Sequence, residues 1–248
     1  MIRENLWFYH LYQKMSNDRR IRAVFSYHKS KKKQTKKGEQ NMDGLESLLL
    51  GITEDLENMQ LPSPELLTYY RNLEDRVIWI DYDVSEKVLE VSKLIMYFNK
   101  QDKDIPVEER KPIKLLLYSY GGDGMACFSL LDIIALSKTP VYTVNMGVAM
   151  SAGLLILLAG HKRFCLKTST ALAHSGSGGT QGSYETTKAQ MKDYERFVET
   201  MRKYIIERTN IDQKLMNKKK TQEWYIYGEE QVSLGIVDKV VDDIDDII

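Results

Sequence analysis

"VYTVNMGVAMSAGLLILLAG", Val141 to Gly160, changes its pattern at a single serine. Its opening "VYTVNM" follows Pro140, is β-branched and aromatic, and predicts a strand. Beyond Ser151 the chain is apolar without alternation, which predicts a new helix. Gly147, Ala149, Ala152 and Gly153 keep the junction small enough for a tight strand-to-helix turn. Ser151 is then either a nucleophile displayed on that turn or a hydroxyl packed into a buried helix. Its neighbours alone do not separate the two readings.

Working outward, the same alternation recurs. "RVIWI" (Arg76–Ile80) is β-rich, and apolar spacing from Val84 to Phe98 predicts a helix opened by Ser85 as N-cap. "IKLLLYSY" (Ile113–Tyr120) is a buried-type strand that Gly121-Gly122 breaks, and Phe128 to Leu136 is again amphipathic helix. "RFCLK" and "TALAH" are short strands split by Thr168-Ser169, and Tyr184 to Glu207 is a long, charged amphipathic helix. Strands alternating with helical crossovers imply an α/β fold with right-handed βαβ connections. In such folds ligands sit beyond the carboxyl ends of the strands. The double glycine and Ser151 both fall at that edge, which favours the nucleophile reading.

Composition narrows the class. The 248 residues carry 35 basic and 35 acidic side chains, so no global charge favours nucleic acid or an anionic membrane. Residues 1–60 read as a separate charged extension. Lys14 to Lys37 is basic, with Asp18 its only acid, and Asn41 to Gln60 is acidic without a base. Cys127 and Cys165 sit in apolar surroundings without metal-ligand or redox spacing, which predicts buried, reduced thiols and a cytoplasmic protein. The N-terminus lacks the apolar core of a signal peptide, and Leu154 to Ala159 is too short to span a bilayer. No cofactor or metal is expected.

The chemistry follows from a short list of residues. A serine nucleophile on a strand-to-helix turn lies at a helix start, where free N–H groups and the positive dipole end favour a developing anion. Ala152 offers one N–H donor for an oxyanion, and Gly122 offers a second. Of the four histidines, His10 and His28 fall in the charged extension and His161 in a "GHKR" turn. His174 ends the strand "TALAH" before "SGSGG", which suits it as general base.

Strand–"GG", a serine 29 positions later within "MGVAMSAGLLILLAG", then "KRFC" and a strand-ending histidine resemble the proteolytic subunits of the Clp protease family. "YGEEQVSLGIVDKV" (Tyr227–Val240) resembles that family's C-terminal segment. The resemblance runs from about Leu66 to Val241 and leaves residues 1–60 unmatched.

It implies a serine endopeptidase of crotonase-like fold, with repeated ββα units and a protruding handle helix, Tyr184 to Glu207. It further implies that two heptameric rings of one subunit stack around a chamber, and that unfolded polypeptide is fed in by a separate AAA+ unfoldase. This chain has no Walker motif of its own. Carried over, Ser151 is the nucleophile, His174 the base, and Gly122 and Ala152 the oxyanion donors. Gly176, Ser177, Gly178 and Gly179 belong to the stretch that pairs with extended substrate. The third triad position is aspartate in the family and Glu223 here.

Other departures are "YSYGG" in place of a proline-containing turn, Ser175-Gly176 where a proline follows the histidine, and Thr221-Gln222 in place of a charged pair expected to bridge rings. Leu116, Leu136, Val144, Met146, Phe164 and Leu166 match an apolar cleft for ATPase loops, but Lys114 replaces a tyrosine. Core packing explains several of these equally well. Two alternatives stand beside the peptidase: a catalytically weak or inactive scaffold or regulatory subunit of a mixed ring, and an acyl-CoA enzyme of the same fold, for which this chain lacks an obvious pair of acidic catalytic residues near "GG". A Ser-Lys pair through Lys162 is made superfluous by His174.

Overall fold

The computed structural model describes residues 63–247, so the charged stretches of residues 1–60 lie outside the described residues. Helix α1 (Pro64–Glu74) precedes strand β1 (Val77–Ile80), and residues from Asn72 onward form one folded unit. Then come α2 (Val88–Gln101), β2 (Ile113–Ser119), α3 (Gly124–Leu136), β3 (Val141–Met150) and α4 (Ala152–Ala159). After these the chain forms β4 (Lys162–Leu166), β5 (Thr170–Ala173), α5 (Tyr184–Arg208), α6 (Gln213–Lys219), β6 (Trp224–Tyr227), α7 (Gly228–Ser233) and β7 (Lys239–Val241).

The sheet runs β1-β2-β3-β4-β7, all parallel, as alternating strands and helices require. β3 is ten residues long and serves two neighbourhoods. Its first half pairs with β2 and β4, while Val148 to Met150 pair in parallel with Thr170 to Leu172 of β5. β6 then closes antiparallel onto β5, with Ala173 opposite Trp224.

α4 has no polar face, and all eight of its residues are buried. A helix apolar on every side belongs in a core. Burial of Leu154, Leu155, Ile156, Leu157 and Leu158 supplies roughly 1.5–3 kcal/mol each, an upper estimate for the anchoring of this element. α3 packs against it, and its start is fixed by Asp123, whose carboxylate accepts the Ala126 N–H at 2.8 Å. That cap explains why the helix begins four residues before Phe128.

The helix expected from Val84 starts instead at Val88. Val84 is bridged to Gly122, and Ser85 to Lys87 form a turn, so Ser85 is not the N-cap. Pairing with the glycine turn overrides the helical spacing there.

On the other sheet face, Val77, Leu116, Val144 and Ile247 form a small core with Met146, Phe164 and Val241 packed against it. Those positions are occupied in packing, whereas Leu136 is exposed. Cys127 and Cys165 are both free and buried. Among the described residues no helix is long and apolar enough to cross a membrane.

Candidate active site

The β3–β5 pairing builds the site. Met150 lies opposite Leu172, and the Ser151 N–H donates to the Leu172 carbonyl at 3.0 Å. Two residues beyond Leu172, His174 leaves the sheet beside Ser151. Their side chains meet, with Nε2 of His174 2.7 Å from Oγ of Ser151. With Nε2 as acceptor, Ser151 donates its hydroxyl proton to the imidazole.

Ser151 has φ 54° and ψ −119°, a conformation that non-glycine residues seldom adopt. Such strain costs of order 1–3 kcal/mol and persists only where the surroundings over-determine it. Here buried α4 holds one side and the β3–β5 ladder the other.

The glycine turn lies against the serine. Gly121 and Gly122 have φ of 105° and 138°. A side chain on Gly121 would come within 2.7 Å of Ser151 Cβ and 3.2 Å of the Ala152 nitrogen. The turn is fixed from outside, because Val84 N–H donates to the Gly121 carbonyl and Asp123 N–H donates to the Val84 carbonyl. Ser119, buried, donates to the Tyr82 carbonyl and accepts the Gly121 N–H. These bonds leave the N–H groups of Gly122 and Ala152 without a hydrogen bond among the described residues. Ala152 follows Ser151 directly, and Gly122 follows the Gly121 that packs against the Ser151 side chain.

Glu223 is not brought to the imidazole. It lies one step beyond Trp224, across from His174 in the antiparallel register, yet its carboxylate accepts the Tyr225 hydroxyl at 2.8 Å. That bond raises the Tyr225 phenol above its ordinary pKa, with the carboxylate's charge adding to the effect. Ser151 is the only hydrogen-bond partner of His174 among the described residues. Glu223 is exposed, so packing does not force its carboxylate toward the ring.

Gly176, Ser177, Gly178 and Gly179 form no ladder, and their backbone groups make no hydrogen bond among the described residues. Sequence reading missed the residues that grip the stretch just before them. Ser175 Oγ donates to the Lys220 carbonyl at 2.7 Å and accepts from the Arg202 guanidinium at 2.8 Å. The Ser175 carbonyl accepts the Tyr194 hydroxyl at 3.1 Å. No motif marks Arg202 or Tyr194, which read only as members of a charged helix.

The remaining candidates have other partners. His161 Nδ1 accepts the Val141 N–H, a structural role. Cys127 donates to the Ala152 carbonyl at 3.3 Å, and burial pushes its thiol up to about 12, so it stays a protonated packing group. Lys114 is half-buried, which lowers its pKa from the ordinary lysine value. No cluster of metal-ligand side chains occurs among the described residues.

Comparison with known proteins places the chain in a family. The Clp protease family profile matches residues 64–243. The chain is 34% identical over 139 residues to the ATP-dependent Clp protease proteolytic subunit 2 of Treponema denticola, covering 55% of this chain and 70% of the relative. It is 28% identical over 176 residues to the ATP-dependent Clp protease proteolytic subunit of Deinococcus radiodurans, covering 70% and 84%. It is 31% identical over 177 residues to the ATP-dependent Clp protease proteolytic subunit 1 of Bacillus cereus, covering 70% and 89%.

Proposed function

The chain belongs to the Clp protease family of serine peptidases, and from that premise we propose that it is an active endopeptidase subunit whose nucleophile is Ser151 and whose base is His174. The observation that carries the reading is the 2.7 Å contact between Oγ and Nε2.

In the reaction Oγ attacks the scissile carbonyl carbon while its proton passes to Nε2. The carbonyl oxygen takes the displaced electron pair as an oxyanion and is met by the N–H groups of Gly122 and Ala152. Each such donor is worth roughly 2.7–4 kcal/mol in the transition state. Collapse breaks the C–N bond, the imidazolium gives its proton to the leaving amine, and an acyl-serine remains. Water, deprotonated by the same imidazole, then releases the acid and restores Ser151.

Gly176 to Gly179 are the strand edge to which an extended substrate adds, through main-chain bonds that tolerate many sequences. Glu223 turns from Tyr225 to the Nδ1–H of His174 when the site is engaged, and so fixes the productive tautomer. Rings of this chain enclosing a chamber, fed with unfolded polypeptide by a Clp-type AAA+ ATPase, complete the proposed assembly. Residues 1–60 form a separate charged extension outside the peptidase domain, and the cytoplasm is the proposed compartment.

A second reading rests on one observation. The Tyr225 bond holds the Glu223 carboxylate away from the imidazole, as would suit a scaffold subunit of a mixed ring. Labelling with a fluorophosphonate, with identification of the modified residue, separates the two. Modification at Ser151 together with hydrolysis of an unfolded protein supports the enzyme. An unmodified Ser151 in assembled rings supports the scaffold.

A further inference from the structure

We propose that Ser175 and Arg202 are positioning residues for His174: they fix the base against Ser151 by anchoring the backbone that follows it. The proposal rests on the Ser151–His174 reading of the site and adds to it the device that sets the distance.

Among the described residues the imidazole is held at one nitrogen only. Its place therefore depends on the backbone to either side. On the N-terminal side Ala173 is fixed by its register with Trp224. On the C-terminal side the chain enters Gly176, at φ 81°, and then Gly178, Gly179 and Gly182, a run that forms no ladder. Glycine carries the largest backbone freedom of any residue, so without a restraint that freedom would begin two residues after the base. Ser175 supplies the restraint.

Its hydroxyl has one proton and two lone pairs. The proton goes to the Lys220 carbonyl and one lone pair to Arg202, while its carbonyl accepts from Tyr194. The Arg202 bond is charge-assisted and so stronger than a neutral pair. Tyr194 and Arg202 both stand on α5, and Lys220 caps α6, so two helices converge on this residue. Lys220 also lies three positions before Glu223. The same hydroxyl thus ties the strand end bearing the base to the segment that carries the acid.

Steady-state peptide hydrolysis by the full chain provides one test, and the Ser151–His174 separation in crystals provides the other. Ser175→Ala and Arg202→Ala should each lower kcat by about tenfold to a hundredfold, the scale of a 1 Å misplacement, with KM changed by less than about twofold. Ser175→Thr keeps the hydroxyl and should restore most of kcat. Because the two side chains share one bond, the double alanine variant should be no slower than the slower single variant.

In crystals the 2.7 Å contact should persist in the wild type and lengthen in Ser175→Ala. An unchanged kcat in Ser175→Ala, a loss not rescued by threonine, or an unchanged contact overturns the proposal. A wild-type chain that a fluorophosphonate fails to label at Ser151 refutes the catalytic reading instead, and the crystallographic distance still decides the anchoring role.

Discussion

Ser151 and His174 stand 23 positions apart in the chain and 2.7 Å apart at their side chains, because β5 pairs with the far half of β3. The ladder ends at Met150 and Leu172, so both reactive residues leave the sheet at the same edge. One is followed by a buried helix, the other by Ser175, whose bonds to Lys220, Arg202 and Tyr194 precede a glycine-rich exit.

Ser151→Ala should abolish peptide hydrolysis and fluorophosphonate labelling. Ser151→Gly should do the same, and it should also relieve the φ of 54°. Relief of strain of order 1–3 kcal/mol outweighs glycine's extra unfolded-state entropy of roughly 0.5–1 kcal/mol. A higher Tm for Ser151→Gly than for Ser151→Ala checks this, and the reverse order would remove strain from the account of the turn.

Gly122→Ala should cost both activity and stability. The added methyl would collide with the Val84 carbonyl, whose bond to Asp123 N–H fixes the glycine turn, and φ 138° strains any side chain there. Alanine keeps the backbone N–H, but displacement of the turn misdirects that proposed donor and lowers kcat by up to about 10²–10³. Kinetics on the folded fraction, with its Tm, measure the two effects separately.

Glu223→Gln should lower kcat, by up to about 10⁴ if the carboxylate sets the tautomer of His174. Tyr225→Phe removes the competing hydroxyl, and its turnover should equal or exceed the wild type's. Wild-type turnover in Glu223→Gln would make the site a dyad.

A stability prediction concerns the far end of the sheet. Arg76 makes a two-pronged pair with buried Asp102, both contacts 2.6 Å, and Thr139 donates to the same carboxylate at 2.9 Å. The Arg76 hydrogen bond, the largest favourable influence, holds the Asp102 carboxyl below its ordinary value. A depressed carboxyl contributes stability that is present above its unfolded pKa of about 3.9 and lost as pH falls through the folded value. Arg76→Ala should therefore destabilise the fold at neutral pH by roughly 3–5 kcal/mol. It should also flatten the acid limb of a Tm-against-pH curve. An unchanged acid limb would show that other groups govern it.

Much of this architecture was legible in the residues. The switch from β-branched to unpatterned apolar sequence at Ser151 marked β3 and α4, and the small residues around it marked the turn. "GG" after a strand and a histidine ending one marked Gly122 and His174 as candidates, and the fold brings His174 to Ser151. Local stereochemistry and hydrophobic periodicity act over a few residues, so the sequence displays them directly.

Other features depended on which segments the fold brings together. Helical spacing from Val84 gave way to pairing with Gly122, a partner that no local signal names. The alignment selected Glu223, which adjoins the Ala173–Trp224 pair, but its carboxylate accepts from Tyr225. Ser175 read as a lost proline, and Arg202 as one charge on a long helix. Their bond, across 27 positions, exists only because α5 folds back over the exit of β5. Such contacts add energies of one or two kcal/mol between distant segments, and only the packed chain decides which of them form.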